Sequence, residues 1–239
     1  MRNIKKFLKP VLILVFTVTF LSCKNNKTEK TEPEEAKAMD TTSAVAVFEP
    51  FKVIVIKHKV ADYEKWRKGY DAHDSMRMAY GITHHIVGRG IDDANMIVVI
   101  NKFNDVQKAK DFSVLPNLKD VMKKAGVTGK PEFSYYDVIR NDSTKIDQKD
   151  RLMVSHRVKD FDAWLKVYDA EGTAKRMEEG LIDRGMARSI DDPNMVALVF
   201  AVTDIKKAKA SMTSEAKKKL MMDAGVEGAP QMFFYKIVD

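Results

Sequence analysis

The sequence predicts an α+β protein that contains two similar units, each with the element order β-α-β-β-α-β. The first observation is a repeated turn. RGIDDANM at residues 89–96 returns 99 positions later as RSIDDPNM at residues 188–195, between apolar runs in both places. The second observation is that residues 51–139 align with residues 151–238 almost from end to end. Together they predict a tandem duplication.

The unit begins with a strand, predicted over residues 51–60, that carries apolar side chains on both faces. Because side chains alternate between the faces of a strand, such a strand is covered on both sides. Asp62 has the chemistry of a helix N-cap. One stripe of the following helix consists of Trp66, Tyr70, His73 and Arg77. We expect this helix to continue to Gly81.

A second strand over residues 82–90 and a third over residues 95–103 flank the repeated turn. Asp105 begins a second helix, which Pro116 interrupts because proline cannot continue a helix. The last strand is predicted over residues 132–139. The unit is therefore the ferredoxin-like split β-α-β.

The second unit follows at an offset of 98 residues up to its first helix and of 99 residues afterwards. This change predicts one extra residue near residues 178–180. Residues 141–150 are polar and form the predicted linker, so the two units are expected over residues 51–140 and 151–239.

Each unit alone would leave one apolar face of its sheet in water, and two units in one chain can cover each other. This arrangement resembles the dimeric α+β barrel superfamily, which includes antibiotic biosynthesis monooxygenases, muconolactone isomerases and stress-responsive barrel proteins. The resemblance rests on element order and on the two-faced strands of both units. It implies two tandem ferredoxin-like units packed as an intrachain pseudo-dimer, with a cavity between sheet and helices in each half.

The N-terminus has the pattern of an export signal. Residues 1–22 contain a short basic segment, an apolar run and a small residue before Cys23. The run is too short for a bilayer, which needs about 20 apolar residues. FLSC at residues 20–23 resembles the lipobox of bacterial lipoproteins, with Phe20 where leucine is usual. The resemblance implies a cell-envelope protein attached to membrane lipid through an acylated Cys23; a plain signal peptide is the alternative.

Charge and composition exclude a nucleic-acid footprint. Removal of residues 1–22 takes away four basic residues and no acidic ones, which lowers the formal charge from +7 to +3. Lysines and arginines are scattered among acidic residues, as on a solvated surface. Residues 23–50 are too polar to repay the entropy of folding and predict a disordered tether. Cys23 is the only cysteine, so an internal disulfide is impossible.

Histidines are the candidate catalytic groups, and four of the five lie in the first unit. His58 and its counterpart His156 lie late in the first strands, where they could transfer a proton or be buried with ring nitrogens bonded to the backbone. His73 shares the helix stripe of Trp66, and we predict His58 and His73 as the catalytic pair if the protein is an enzyme. His84 and His85 are consecutive on a strand and must face opposite sides.

The candidate ligand-binding residues are aromatic side chains and two arginines. They comprise Trp66, Tyr70, His156, Trp164, Tyr168, Arg89 and Arg188. The aromatic rings could stack on a flat ligand or pack helix against sheet. The arginines could hold a carboxylate or fix the repeated hairpin. No histidine or cysteine spacing predicts a metal, and no cofactor is expected.

Three functions remain open from the sequence. The first is binding of a small, partly apolar molecule in one or both barrel cavities. The second is an enzyme of the cofactor-independent monooxygenase or isomerase kind, which the resemblance implies. The third is a structural or interaction role for the paired units.

Overall fold

The computed structural model describes residues 48–239, and within them two halves repeat the predicted element order. The first half comprises β1 (Phe51–Val60), α1 (Tyr63–Ala72), α2 (Asp74–Ala79), β2 (Ile82–Gly90), β3 (Met96–Phe103), α3 (Val106–Ser113), α4 (Pro116–Lys124) and β4 (Val127–Asn141). The second comprises β5 (Asp150–Val158), α5 (Phe161–Glu178), β6 (Leu181–Ser189), β7 (Met195–Val202), α6 (Ile205–Met212), α7 (Glu215–Asp223) and β8 (Val226–Ile237). The export signal and the lipidation site lie outside the described residues.

The eight strands of these residues form one closed antiparallel barrel in the order β1-β3-β2-β8-β5-β7-β6-β4. The halves meet along two seams, β2 with β8 and β4 with β6. The first seam pairs Gly88 with Ile237 and Gly90 with Tyr235, and the second extends from Tyr136 to Asn141 on β4. The predicted fold class is therefore confirmed. The halves join by their strand edges as well as by the apolar faces that the sequence predicts.

Each strand of the barrel separates two apolar layers. On β1, Ile54 and Ile56 pack under the helices of the first half. Val53 and Val55 face the barrel interior, where residues of both halves form a shared core. Full burial of such a side chain stabilises the fold by about 1.5–3 kcal/mol, so both faces of the strand contribute.

Aspartate N-caps determine where four of the helices begin. These caps are Asp62, Asp105, Asp160 and Asp204, whose carboxylates accept a backbone N–H at 2.7–3.0 Å. Each such cap stabilises its helix by about 1 kcal/mol. The two caps predicted in the first unit, Asp62 and Asp105, are confirmed.

The first helix of each half departs from the prediction. In the first half it breaks at His73, whose φ of −106° and ψ of 22° separate α1 from α2. In the second half Gly172 has φ +78° and interrupts α5. Arg77 donates to the carbonyl oxygen of Tyr70, seven residues before it. Arg176 donates to the carbonyl oxygen of Tyr168, eight residues before it. The extra residue therefore lies at the Gly172 break and not near residues 178–180.

The last strand of the first half is longer than predicted, since β4 begins at Val127 rather than at residue 132. Its early part pairs with the end of β1, where Val127 lies opposite Val60. Among the helices within residues 48–239, none combines the length and the apolar character needed to cross a bilayer.

Candidate functional site

The structure brings the predicted catalytic and aromatic residues of the first half to one small cavity between sheet and helices. His58, Trp66, Tyr70 and His73 all line this space of about 60 Å³. The equivalent cavity of the second half also measures about 60 Å³, and His156, Trp164 and Tyr168 line it. About two water-sized groups fill such a volume, at about 30 Å³ each.

His58 and His156 are buried at these cavities. Their side chains are 4% and 5% exposed, and neither ring nitrogen of either histidine has a hydrogen-bond partner among the described residues. The predicted alternative, in which the nitrogens bond backbone groups, is therefore not what the structure has. Burial lowers the pKa of both imidazoles to about 4, so both are neutral at pH 7.

Tryptophan and a strand irregularity position each of these histidines. The His58 ring lies 5.4 Å from the Trp66 ring, and the His156 ring lies 5.5 Å from the Trp164 ring. The β1–β4 register shifts between Lys57 and Lys59, and the β5–β8 register shifts between residues 155 and 157. Such irregularities re-aim single side chains and are common beside functional sites.

His73 contributes differently from His58. It caps the C-terminus of α1, and its Nδ1 donates to the carbonyl oxygen of Gly69 at 2.7 Å. This bond leaves Nε2 as the free acceptor of the ring. A neutral His58 and an acceptor on His73 at one cavity can accept or relay a proton.

Tyrosine and arginine form the floor of both cavities, but their partners differ. In the first half the Tyr70 hydroxyl donates to Asn101 Oδ1 at 2.9 Å and lies 3.0 Å from His84 Nδ1. Arg77 stacks over the Tyr70 ring at 3.8 Å. His84 therefore belongs to this polar cluster, which sequence reasoning missed because it treated His84 only as one of a consecutive pair.

In the second half a carboxylate takes the place of Asn101 and His84 as the partner of the tyrosine. Tyr168 donates to Asp183 at 2.8 Å, and Arg176 binds both carboxylate oxygens of Asp183 at 2.8 and 2.9 Å. Burial and the Asp183 charge raise the pKa of Tyr168. Lys217, only 8% exposed, pairs with Glu171 at 2.5 Å and with Glu179 at 2.7 Å. The two helix-side cavities therefore differ in chemistry.

Arg89 and Arg188, predicted to bind ligand or to fix the hairpins, do not line these cavities. Arg89 Nε donates to the Ala94 carbonyl and Arg188 Nε to the Pro193 carbonyl, both at 2.9 Å. Their guanidinium groups also cover the rings of Tyr63 and Phe161, at 4.1 and 3.9 Å. Both arginines hold their hairpins, through carbonyl oxygens rather than through the neighbouring aspartates.

A larger cavity of about 310 Å³ lies inside the barrel, between the two halves. Its wall is mostly apolar and comes from both halves, through Val53, Val55, Ile100, Val138, Met153 and Val199. Arg151, Tyr136 and Tyr235 are the buried residues with polar groups on it, and His85 and Arg184 line its rim. His84 and His85 therefore face opposite sides of the sheet, as predicted.

Sequence reasoning did not find this interior cavity. The sequence does contain a signal for it, because Arg151 occupies the position that Val53 occupies in the first half.

The opposite end of the barrel, around Lys57, Glu132 and Gln231, holds a wider and more polar depression of about 540 Å³. Across residues 48–239, no group of three or more histidine, cysteine or acidic side chains could hold a metal ion.

Comparison with protein families and with curated proteins gives no match. Solved structures do match. A Fusobacterium nucleatum protein with a provisional monooxygenase assignment is 12% identical, with a TM-score of 0.52 over 80% of this chain and 93% of its own. A protein described as anthrone oxidase-like is 13% identical, with a TM-score of 0.53 over 79% and 92%. The chain shares their α+β fold. At these identities the similarity concerns the fold alone.

Proposed function

We propose that the interior of the barrel binds a small, partly apolar molecule. The observation that supports the proposal is the cavity of about 310 Å³ between the halves. This volume lies at the lower end of the ~300–1,000 Å³ typical of ligand pockets. An apolar wall with a few polar groups at one end is also the usual composition of such pockets.

Two cavity-filling variants test this proposal. Ala197→Phe adds a ring inside the barrel, whereas Val167→Phe adds the same ring to the helix-side cavity of the second half. Native mass spectrometry of protein purified from its own cells should show a bound small molecule. We expect Ala197→Phe to lose this mass and Val167→Phe to keep it. Loss in Val167→Phe alone would move the ligand to the helix side.

An enzyme of the cofactor-independent monooxygenase or isomerase kind is the second candidate. It is favoured by the names of the two similar structures and by the unpartnered, neutral imidazole of His58 beside His73. In this reading His58 and His73 transfer protons, and Trp66 and Tyr70 support the substrate. The cavity of about 60 Å³ argues against it, because an aromatic substrate fits only if the helices move outward.

Dioxygen uptake with an anthrone as substrate tests the enzyme candidate. The reaction would convert the anthrone and one dioxygen into an anthraquinone and water. His58→Gln should then abolish uptake and leave the folded state intact, while His156→Gln reports on the second half. Uptake that survives both substitutions at the wild-type rate rules out these imidazoles as catalysts.

We further propose that the chain is a duplicated envelope lipoprotein, anchored in membrane lipid through acylated Cys23. The sequence pattern of residues 1–23 supports the anchor, and the equivalent His-Trp pairs of both halves support the duplication. Metabolic labelling with a fatty acid should tag the wild-type chain. Cys23→Ser should remove the label and release the protein from membranes, and a labelled Cys23→Ser chain would contradict the anchor.

A further inference from the structure

The barrel cavity contains a buried cation that forms no ion pair with any of the described residues. Arg151 is 8% exposed, and its Nη1 donates to the carbonyl oxygens of Gln148 and Asp150 at 2.6 and 3.0 Å. Within residues 48–239 no carboxylate lies at ion-pair distance from its guanidinium. Burial lowers the pKa of Arg151 from its usual value. A buried charge without a partner is costly, so a structural role alone does not explain this side chain.

Neighbouring charges do not neutralise Arg151. Arg184, at the rim, is bonded to Asp142 at 2.8 Å and to the Thr144 carbonyl at 2.6 Å. The Asp150 carboxylate lies 3.8 Å from Lys236. Both carboxylates have another cation as ion-pair partner, and the Asp150 charge offsets only part of the effect of burial on the pKa of Arg151. Among residues 48–239, Arg151 therefore has no ion pair of its own.

Tyr235 supplies a second unsatisfied group on the same wall. The side chain is fully buried, and its hydroxyl has no hydrogen-bond partner among the described residues. Arg151 and Tyr235 are directly paired across β5 and β8. The ring also fits only because residue 88 is glycine, since a Cβ there would overlap Tyr235. The chain therefore makes room for a ring whose hydroxyl donates to no group within residues 48–239.

Comparison of the two pseudo-symmetric halves shows that Arg151 has no arginine counterpart in the first half. In the first half the equivalent pair is Val53 with Tyr136, and Val53 is an ordinary member of the shared core. An arginine replaces a core valine in only one of two otherwise similar halves. Of the described residues, Arg151 is therefore the one buried charge on the cavity, and the rest of the buried wall is apolar apart from the hydroxyls of Tyr136 and Tyr235.

We propose that this cavity binds a monocarboxylate with a small apolar body, the carboxylate on Arg151 and Tyr235 and the apolar body against Val55 and Val199. This proposal rests on ligand binding in the barrel and names its class. One guanidinium and one hydroxyl match the charge and acceptors of one carboxylate. At about 30 Å³ per water-sized group, a cavity of about 310 Å³ admits about ten non-hydrogen atoms, the size of octanoate.

Titration calorimetry of the full chain with octanoate and with octan-1-ol tests the ligand class. We expect octanoate to bind at least about tenfold more tightly, because the hydrogen bonds to a charged group are the stronger ones. Arg151→Met should weaken octanoate about 10- to 100-fold and leave octan-1-ol unchanged. Arg157→Met is the matched control, since it removes an arginine from the same strand on the outer surface. It should change neither affinity.

Tyr235→Phe provides an independent variant if Arg151→Met fails to fold, because it removes only a hydroxyl that bonds to none of residues 48–239. It should weaken octanoate several-fold. Equal binding of the acid and the alcohol, unchanged in both variants, would overturn the carboxylate class and leave ligand binding in place. Binding of neither probe, together with no bound mass in native spectra, would overturn both proposals.

Discussion

The two buried histidines lower the stability of the fold and at the same time place a neutral imidazole at each helix-side cavity. His58 and His156 lie in apolar surroundings, and within the described part of the chain both ring nitrogens of each are without a hydrogen-bond partner. Leaving such a polar atom without a bond costs about 1–3 kcal/mol. The same environment occurs in both halves, although the surrounding polar clusters differ. Each imidazole is therefore kept neutral near pH 7, where it can accept a proton or a hydrogen bond from whatever enters the cavity.

Acid sensitivity follows from these imidazoles. Their pKa falls from 6.5 to about 4 on folding, so protonation favours the unfolded chain. The contribution of the two neutral imidazoles to the free energy of unfolding is complete above pH 6.5 and is lost as the pH falls toward 4. Between about pH 7.5 and pH 5 the loss is on the order of 2 kcal/mol per histidine. Urea unfolding of wild type and of His58→Leu/His156→Leu should show a clearly larger loss in the wild type, since His85, whose pKa burial also lowers to about 4, is present in both. Equal losses in both would contradict the assignment.

Two buried tyrosines should respond in opposite ways to removal of the hydroxyl. Tyr168 donates to the Asp183 carboxylate at 2.8 Å, whereas Tyr235 has no partner among the described residues. We expect Tyr168→Phe to lower the free energy of unfolding by about 1.5–3 kcal/mol. Tyr235→Phe should leave it unchanged or raise it slightly. Urea denaturation at neutral pH checks both. A marked loss in Tyr235→Phe would reveal a hydrogen bond that the structure lacks.

Elements specified by nearby residues are those that the sequence predicts well. The Asp62 and Asp105 caps act within one helical turn, and the alternation over Phe51–Val60 is local, so both are readable from the sequence. The break at Gly172 is not readable, because its position depends on keeping Arg176 against Tyr168 across one extra residue. A simple offset count therefore assigned the extra residue several positions too late.

In the candidate sites, too, the sequence predicts the features that depend on local patterns and misses those that depend on pairing between the halves. Periodicity brought His58, Trp66, Tyr70 and His73 together correctly, since they share faces of adjacent elements. The interior cavity depends on pairing between halves, which no local pattern reports. Arg151 in the position of Val53 was the one available signal.

The Gly172 break gives a prediction for the first helix of the second half. Its φ of +78° and ψ of +156° belong to a region that only glycine adopts readily. No atom lies within 4 Å of an added Cβ, so a substitution acts on the backbone alone. Gly172→Ala should lower the free energy of unfolding by about 1–3 kcal/mol. The neighbouring Thr173→Ala should not. Thermal or urea unfolding distinguishes them, and equal stability of the two variants would mean that the helix can straighten there.

At the scale of the molecule, closure of the barrel removes every open edge from the sheet of the described residues. An open sheet edge with an apolar face invites pairing with another chain. Each half has two such edges and an apolar face, and the other half covers all three. The linker between β4 and β5 joins the two halves covalently. Closure of the barrel therefore does not depend on protein concentration.

Separation of the halves is therefore the sharpest test of this architecture. Expressed alone, residues 48–141 would expose Val53, Val55, Val98 and Ile100 together with the edges of β2 and β4. We expect each half to self-associate or aggregate, and the two mixed halves to assemble into a one-to-one complex. Light scattering coupled to size-exclusion chromatography measures the mass of each species. A single half with this apolar face in water is not expected to keep a fixed core as a monomer. A half that remains monomeric and gives a dispersed amide spectrum would therefore show that its sheet is stable without the other half.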